Sequence, residues 1–346
     1  MHSGSAWIFY DNSIPPCGHY CIPVSHLAFL PLSHLRRRYF MNHPFTFNQF
    51  SDELIRQLTP MFPAQTQIHL QSIQKNNDIA LDALIIREPG TNISPTIYLD
   101  DYYALYNDGT PMDELCHIIC DVFLEVRLNH PIDPSFFTDY EQARKRLIYQ
   151  VINYDKNEKR LHDLPHIRYL DLAIIFCCIL RMENGESATI TVKNEHLQLW
   201  HTDLETIKKQ AFTNTPRLLP AYIQPITDVI HDLAENNPPL ERLLTLPDEC
   251  PDVPTLYVLT NEAQIGGAAC MFYPAMLSDF AESIGKDLYI LPSSIHEILL
   301  LPTDARDDDA SLNELIQQVN ADQLPLTQQL ADHVYFYSRS SAAVSA

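Results

Sequence analysis

The longest uninterrupted apolar run in the chain, Leu172 to Leu180, is nine residues bounded by Asp171 and Arg181. A membrane-spanning helix needs about 20 such residues, so the run reads as a buried strand. The extended segment Pro165–Arg181 around it is expected to open the second half of the fold, with Ser187–Val192 as its hairpin partner after the turn residues Asn184 and Gly185.

The first half gives a similar alternation of hairpins and helices. Phe47, Phe50, Leu54 and Leu58 fall on one helical face from Thr46 onward. Gln67–Gln74 and Ile79–Arg87 alternate with period two about the turn Lys75–Asp78, which predicts a hairpin. Thr96–Leu99 is a third strand, and Asp100–Tyr106 reads as a helical turn. Thr110 and Pro111 occupy the positions of a cap and a first helical residue, with Asp113 at the capping-box position. They predict a helix to about Leu128 whose apolar face is Leu115, Ile118, Ile119, Val122, Phe123 and Val126. Another helix is expected over Asp139–Asn153.

The second half reads as helices at Leu204–Thr213 and Ile226–Glu235, then a proline-rich loop region from Asn236 to Pro254. Strands at Thr255–Leu259 and Gly267–Phe272 precede a helix over Pro274–Ile284, stopped by Gly285. Strands at Asp287–Leu291 and Glu297–Leu301, a helix at Ser311–Val319 and a strand at Val334–Tyr337 complete the pattern. Helices that follow hairpins, instead of separating every strand, indicate an α+β fold in two lobes, with mixed or antiparallel sheets and helices packed on them. The expected division is a leader at 1–40, disordered or preceding the true start at Met41, then lobes at 41–160 and 161–339 and a disordered tail at 340–346. The leader is rich in proline and histidine, has Asp11 as its single acidic residue and ends on Arg36, Arg37 and Arg38.

Charge and glycine content exclude several functions. With 23 Lys and Arg against 44 Asp and Glu among 346 residues, the formal charge is −21. Nucleic acid and anionic membranes both require a basic surface, so neither is an expected partner. Only 8 glycines are present, and neither GxGxxG nor GxxxxGK[ST] occurs, which removes the usual dinucleotide and P-loop signatures. No Lys or Arg falls in the first thirty residues, so the charged start of a signal peptide is missing and a cytoplasmic location is expected. The eight cysteines, including Cys116 and Cys120 on one helix and Cys177 and Cys178 inside the apolar run, suit reduced, buried thiols.

Three phrases carry a resemblance: Lys75–Tyr103, Asn261–Pro274 and Asp287–Pro302, with NISPTIYLDDYY and LYILPSSIHE as its clearest parts. They resemble an uncharacterised bacterial family of the domain-of-unknown-function kind, seen in Gram-positive gut anaerobes. The resemblance spans Phe47 to Tyr337, and it implies no reaction and no catalytic residue.

The densest set of reactive side chains is Ser293, Ser294, His296 and Glu297, between two predicted strands. A serine nucleophile needs a base within hydrogen-bond reach and a third group to orient it. Along an extended segment Ser294 and His296 share a side while Glu297 faces away, and no GxSxG elbow is present. The catalytic candidates are therefore Ser294, His296 and Glu297, weighed against a turn in which the serines serve backbone groups. Ser293, Asp100, Asp101 and Tyr102 are the ligand-binding candidates, the last three within a run of tyrosines and aspartates from Tyr98 to Tyr106.

The metal-like patterns are weak. Asp113, His117, Asp121 and Glu125 recur every four residues, but opposite the apolar face, where a solvated surface is expected. Cys17, Cys21 and His26 lack a second ligand pair, and His162 with His166 lacks the zincin glutamate. No metal and no cofactor is expected. The resulting expectation is a non-enzymatic binding or regulatory protein with a protein or small-molecule partner. Its alternatives are a hydrolase using the Ser294 and His296 loop and an acidic decoy of a nucleic-acid-binding protein.

Overall fold

The computed structural model describes residues 8–10, 45–91, 93–127, 135–181, 187–235, 255–292, 294–306 and 309–346. The chain divides into two compact units, and the fold is α+β. The first comprises Met1–Lys75, Ile79–Gln142 and Ile179–Ile190; the second comprises Asn76–Asp78, Ala143–Cys178 and Thr191–Ala346. The two units interleave along the chain, and one change between them falls at Gln142 and Ala143.

In the first unit, strand β1 (Ile8–Tyr10) is followed by α1 (Phe47–Leu58), β2 (Gln67–Gln74), β3 (Ala80–Arg87), β4 (Ile93–Tyr98), α2 (Asp100–Asn107), α3 (Met112–Val126) and the short α4 (Ser135–Thr138) and α5 (Tyr140–Ala143). The sheet order is β1-β4-β3-β2, antiparallel except for β1 alongside β4. Helix α1 starts on a reciprocal cap: Thr46 Oγ1 accepts from Gln49 N–H, and Gln49 Oε1 accepts from Thr46 N–H at 3.0 Å. The core joins Phe50, Leu54 and Leu58 of α1, Tyr102 and Tyr106 of α2, and Leu115, Ile119 and Phe123 of α3 with Leu84, Ile86 and Ile97 of the sheet. The cap of α3 departs from expectation. Pro111 itself is the N-cap residue, without a side-chain bond, so Thr110 lies outside the helix.

The second unit opens with β5 (Leu147–Asn153), where a helix over Asp139–Asn153 was expected. Every residue of β5 but Gln150 is buried, and the segment is rich in β-branched and aromatic residues. That pattern belongs to a strand covered on both faces, and only α5 remains of the expected helix. After α6 (Glu158–Leu161) come β6 (His166–Tyr169) and β7 (Leu172–Arg181). The single strand expected over Pro165–Arg181 is thus a tight hairpin, turned at Leu170, whose φ of 54° lies in the left-handed region. Residues Leu147–Asn153 pair with Leu172–Cys178; the end of β7 from Ile179 and β8 (Ser187–Thr191) up to Ile190 fall in the first unit, and β8 is the expected partner of β7.

Helices α7 (Asn194–Leu199) and α8 (Leu204–Leu218), strand β9 (Ala221–Pro225) and α9 (Ile226–Glu235) lead to β10 (Tyr257–Asn261). The strand expected at Gly267–Phe272 is a 3-10 helix packed against β5, β10 and β12. Helix α10 (Met276–Ile284) does stop at Gly285, with φ 71°. A six-stranded antiparallel sheet has the order β14-β13-β11-β12-β10-β9, built from β11 (Asp287–Leu291), β12 (Ile298–Thr303), β13 (Tyr335–Ser338) and β14 (Ala343–Ser345). The expected disordered tail is therefore an edge strand paired with β13. Helix α11 (Asp309–Gln323) covers this sheet with Leu312 and Ile316 against Tyr289, Leu291, Val334 and Phe336.

Among the described residues, no helix is long and apolar enough to cross a membrane. Most of the leader, with Cys17, Cys21 and His26, the loop region Asn236–Pro254, and Ser293 lie outside the described residues.

Candidate functional site

The Ser294–Glu297 loop connects β11 to β12, which pair with Leu291 opposite Leu299. Its backbone is committed on two sides. Pro292 O accepts from Ala331 N–H at 3.0 Å and Ile295 N–H donates to Gln328 O at 2.9 Å, so the loop runs against the segment 325–331. On the other side Ile295 O accepts from Ala268 N–H and His296 O accepts from Thr260 Oγ1 at 2.8 Å. Ser294 is 2% exposed and bridges antiparallel to Gln329. Its Oγ accepts from His296 N–H at 3.0 Å, the geometry of a serine turn.

Gly267 explains why the phrase around it packs onto this loop. A Cβ at that position would lie 2.1 Å from both His296 O and Thr260 Oγ1, so only glycine lets the 3-10 helix approach. Asn261 braces the same corner, donating to Ile265 O and accepting from Ile265 N–H. Beneath it, Tyr149 stacks on Phe212 and meets Tyr273 edge-on, and Tyr273 OH donates to Leu219 O at 2.8 Å. Burial pushes the nearby Cys270 thiol up to about 12, which keeps it protonated and unreactive.

Asp100, Asp101 and Tyr102 lie on α2 in the first unit. Desolvation, with Asp82 and Asp101 nearby, raises the Asp100 carboxyl above the usual range. Tyr102 belongs to the core, and burial raises its phenol. Tyr103 and Tyr106 hold the chain at the entry to α1: Tyr103 OH donates to Phe45 O at 3.0 Å, and Phe45 N–H donates to Tyr106 OH. Tyr102 and Tyr106 are buried core residues, whereas Asp100 and Asp101 are exposed.

The stripe Asp113, His117, Asp121 and Glu125 is exposed, and His117 Nδ1–H donates to Asp113 O at 2.7 Å. His162 is exposed, whereas His166 packs on Tyr154 and bonds to Leu164 O at 2.8 Å. Among the described residues, no group of three or more His, Cys, Asp or Glu side chains has the arrangement of a metal site.

Two features of the second unit carried no sequence signal. The first is a buried amide cluster. Asn157 Nδ2 donates to Asn76 Oδ1 and Asn77 Oδ1, each at 3.0 Å, and to Asn153 O at 2.8 Å. Asn76 and Asn77 in turn donate to Thr327 O, Leu326 O and Gln329 O, which fastens the segment opposite the Ser294 loop. Asn76 and Asn77 read as turn formers in the sequence, and the cluster follows only from the pairing of distant segments. The second feature is an open polar cleft of about 330 Å³ at one end of the six-stranded sheet, between Glu282 and Ser340. Its charges come from the ends of separate elements and form no motif.

No curated protein and no solved structure matches the chain. The model of a family of unknown function, DUF5688, matches residues 47–339, from the first residue of α1 to the arginine that follows β13. The resemblance carried by the three phrases is thereby placed, and the chain belongs to the DUF5688 family of unknown function.

Proposed function

We propose that this is a non-enzymatic binding or regulatory protein of the cytoplasm, with a protein or small-molecule partner. The observation that carries the reading is Ser294, the most reactive-looking residue of the sequence. It is 2% exposed, and its Oγ receives the backbone N–H of His296. A serine nucleophile must present its oxygen to a substrate and pass its proton to a base. A buried hydroxyl that serves a turn is poorly suited to either. The cytoplasmic assignment is supported by Cys116, Cys177, Cys178 and Cys270, which are free and buried. A formal charge of −21 supports a partner other than nucleic acid.

The test is a turnover screen of the full chain with generic ester, phosphoester and peptide substrates. The proposal expects rates equal to the blank. Turnover that disappears in both Ser294→Ala and His296→Ala, with their melting temperatures intact, would overturn it in favour of a hydrolase.

A further inference from the structure

We infer that the cleft at the end of the six-stranded sheet binds a small zwitterion carrying one carboxylate and one ammonium group, the class to which free amino acids belong. The inference rests on the reading of this chain as a binding protein and gives that reading a ligand. The cleft lies where α10 ends, β11 begins, and β12 and β13 run out. Its volume of about 330 Å³ is at the small end of ligand clefts, which run from about 300 to 1,000 Å³. Its described walls are charged and hydroxylic, so they suit a small polar ligand.

Arg339 is the anchor. Its backbone N–H donates to Asp287 Oδ1 at 2.9 Å, which fixes the residue at the rim. The guanidinium Nε is buried without a hydrogen bond and is ion-paired with Glu282 Oε1 at 3.6 Å. Gly285, in the left-handed region with φ 71°, ends α10 beside the guanidinium; a Cβ there would sit 3.7 Å from Nη1. Arg339 lines the recess and is ion-paired with Glu282 only at 3.6 Å, and the Nη end of a guanidinium is suited to a carboxylate held through two parallel bonds.

The rest of the charge set selects against a simple ion. Lys286 Nζ is 3.1 Å from Asp304 Oδ2, and Glu282 and Asp287 bring the carboxylates to three against two cations. A simple anion meets the surplus of carboxylates, and a simple cation meets Arg339 and Lys286. A molecule with both charges places its carboxylate on Arg339 and its ammonium toward Glu282 and Asp287, and so complements both signs at once.

The experiment is calorimetric titration of the full chain with each common amino acid at millimolar concentration. N-acetyl and carboxamide derivatives of any binder serve as controls. A saturable heat is expected for at least one amino acid, and it should vanish with either derivative. Arg339→Ala should weaken binding at least about tenfold, since a charge-assisted pair is lost. Arg339→Lys, which keeps the charge without the fork, should also weaken it. Glu282→Gln, at a side chain 67% exposed, tests the ammonium side without disturbing the fold. No saturable heat with any amino acid, or an affinity unchanged in Arg339→Ala, would overturn the site. A silent titration removes this site alone, whereas turnover of a generic substrate removes the non-enzymatic reading, so the two failures are distinguishable.

Discussion

Asn157 has no exposed surface, and its amide is engaged on both sides: Nδ2 donates to two asparagine oxygens and a carbonyl, while Oδ1 accepts from Asn77 N–H at 2.8 Å. Replacing it with alanine leaves several buried polar groups without partners. Each such group costs about 1 to 3 kcal/mol, so Asn157→Ala should lose at least about 3 kcal/mol in urea unfolding. A loss below about 1 kcal/mol would mean that water replaces the amide. His196 offers a pH-dependent test. Burial holds its imidazole below 6.5, and Nδ1 accepts from Lys193 N–H at 2.9 Å, which requires that nitrogen to be unprotonated. Below pH 6.5 the unfolded chain therefore binds more protons than the folded one, and stability falls as pH drops through that range. The opposing carboxylate is Glu195, at 3.8 Å. Urea midpoints between pH 7.5 and 5.5 should fall less in His196→Gln, whose side chain keeps an acceptor but does not titrate; equal falls would remove His196 from the account.

At the scale of elements, β7 makes the sharpest forecast. Cys177 and Cys178 have no exposed surface, and burial pushes the Cys177 thiol up to about 11 and Cys178 higher still. Both should resist brief alkylation of the folded chain, read by mass spectrometry, and rapid labelling of either would take β7 out of the core. This strand was legible as an apolar run between Asp171 and Arg181, and the β2–β3 hairpin and helices α1, α3 and α10 were legible because each shows one clear period. Helix α8 was legible at its start but ran on past Pro216. Three errors each have a physical cause. Leu147–Asn153 reads equally as helix or strand when both faces are apolar, and its pairing with β7 decides the matter. The turn at Leu170 carries no glycine, asparagine or proline, so the β6–β7 corner left no signal. Gly267–Phe272 is apolar because it is enclosed by β5, β10 and β12, not because it extends.

At the scale of the whole molecule, the reactive residues were legible as a set but their surroundings were not. The sequence places Ser294, His296 and Glu297 in one loop, whereas the segments that close over it, 260–268 and 325–331, are remote in the chain. The cleft around Arg339 is hidden for the same reason. The account holds that the Ser294 loop is part of the fold and that function resides elsewhere on the molecule. Global urea unfolding of wild type and Ser294→Ala tests this most directly, because removing the hydroxyl leaves His296 N–H buried without its acceptor. The account predicts a loss of about 1 to 3 kcal/mol. Unchanged or raised stability in Ser294→Ala, as for a residue kept for function at the expense of the fold, would contradict it.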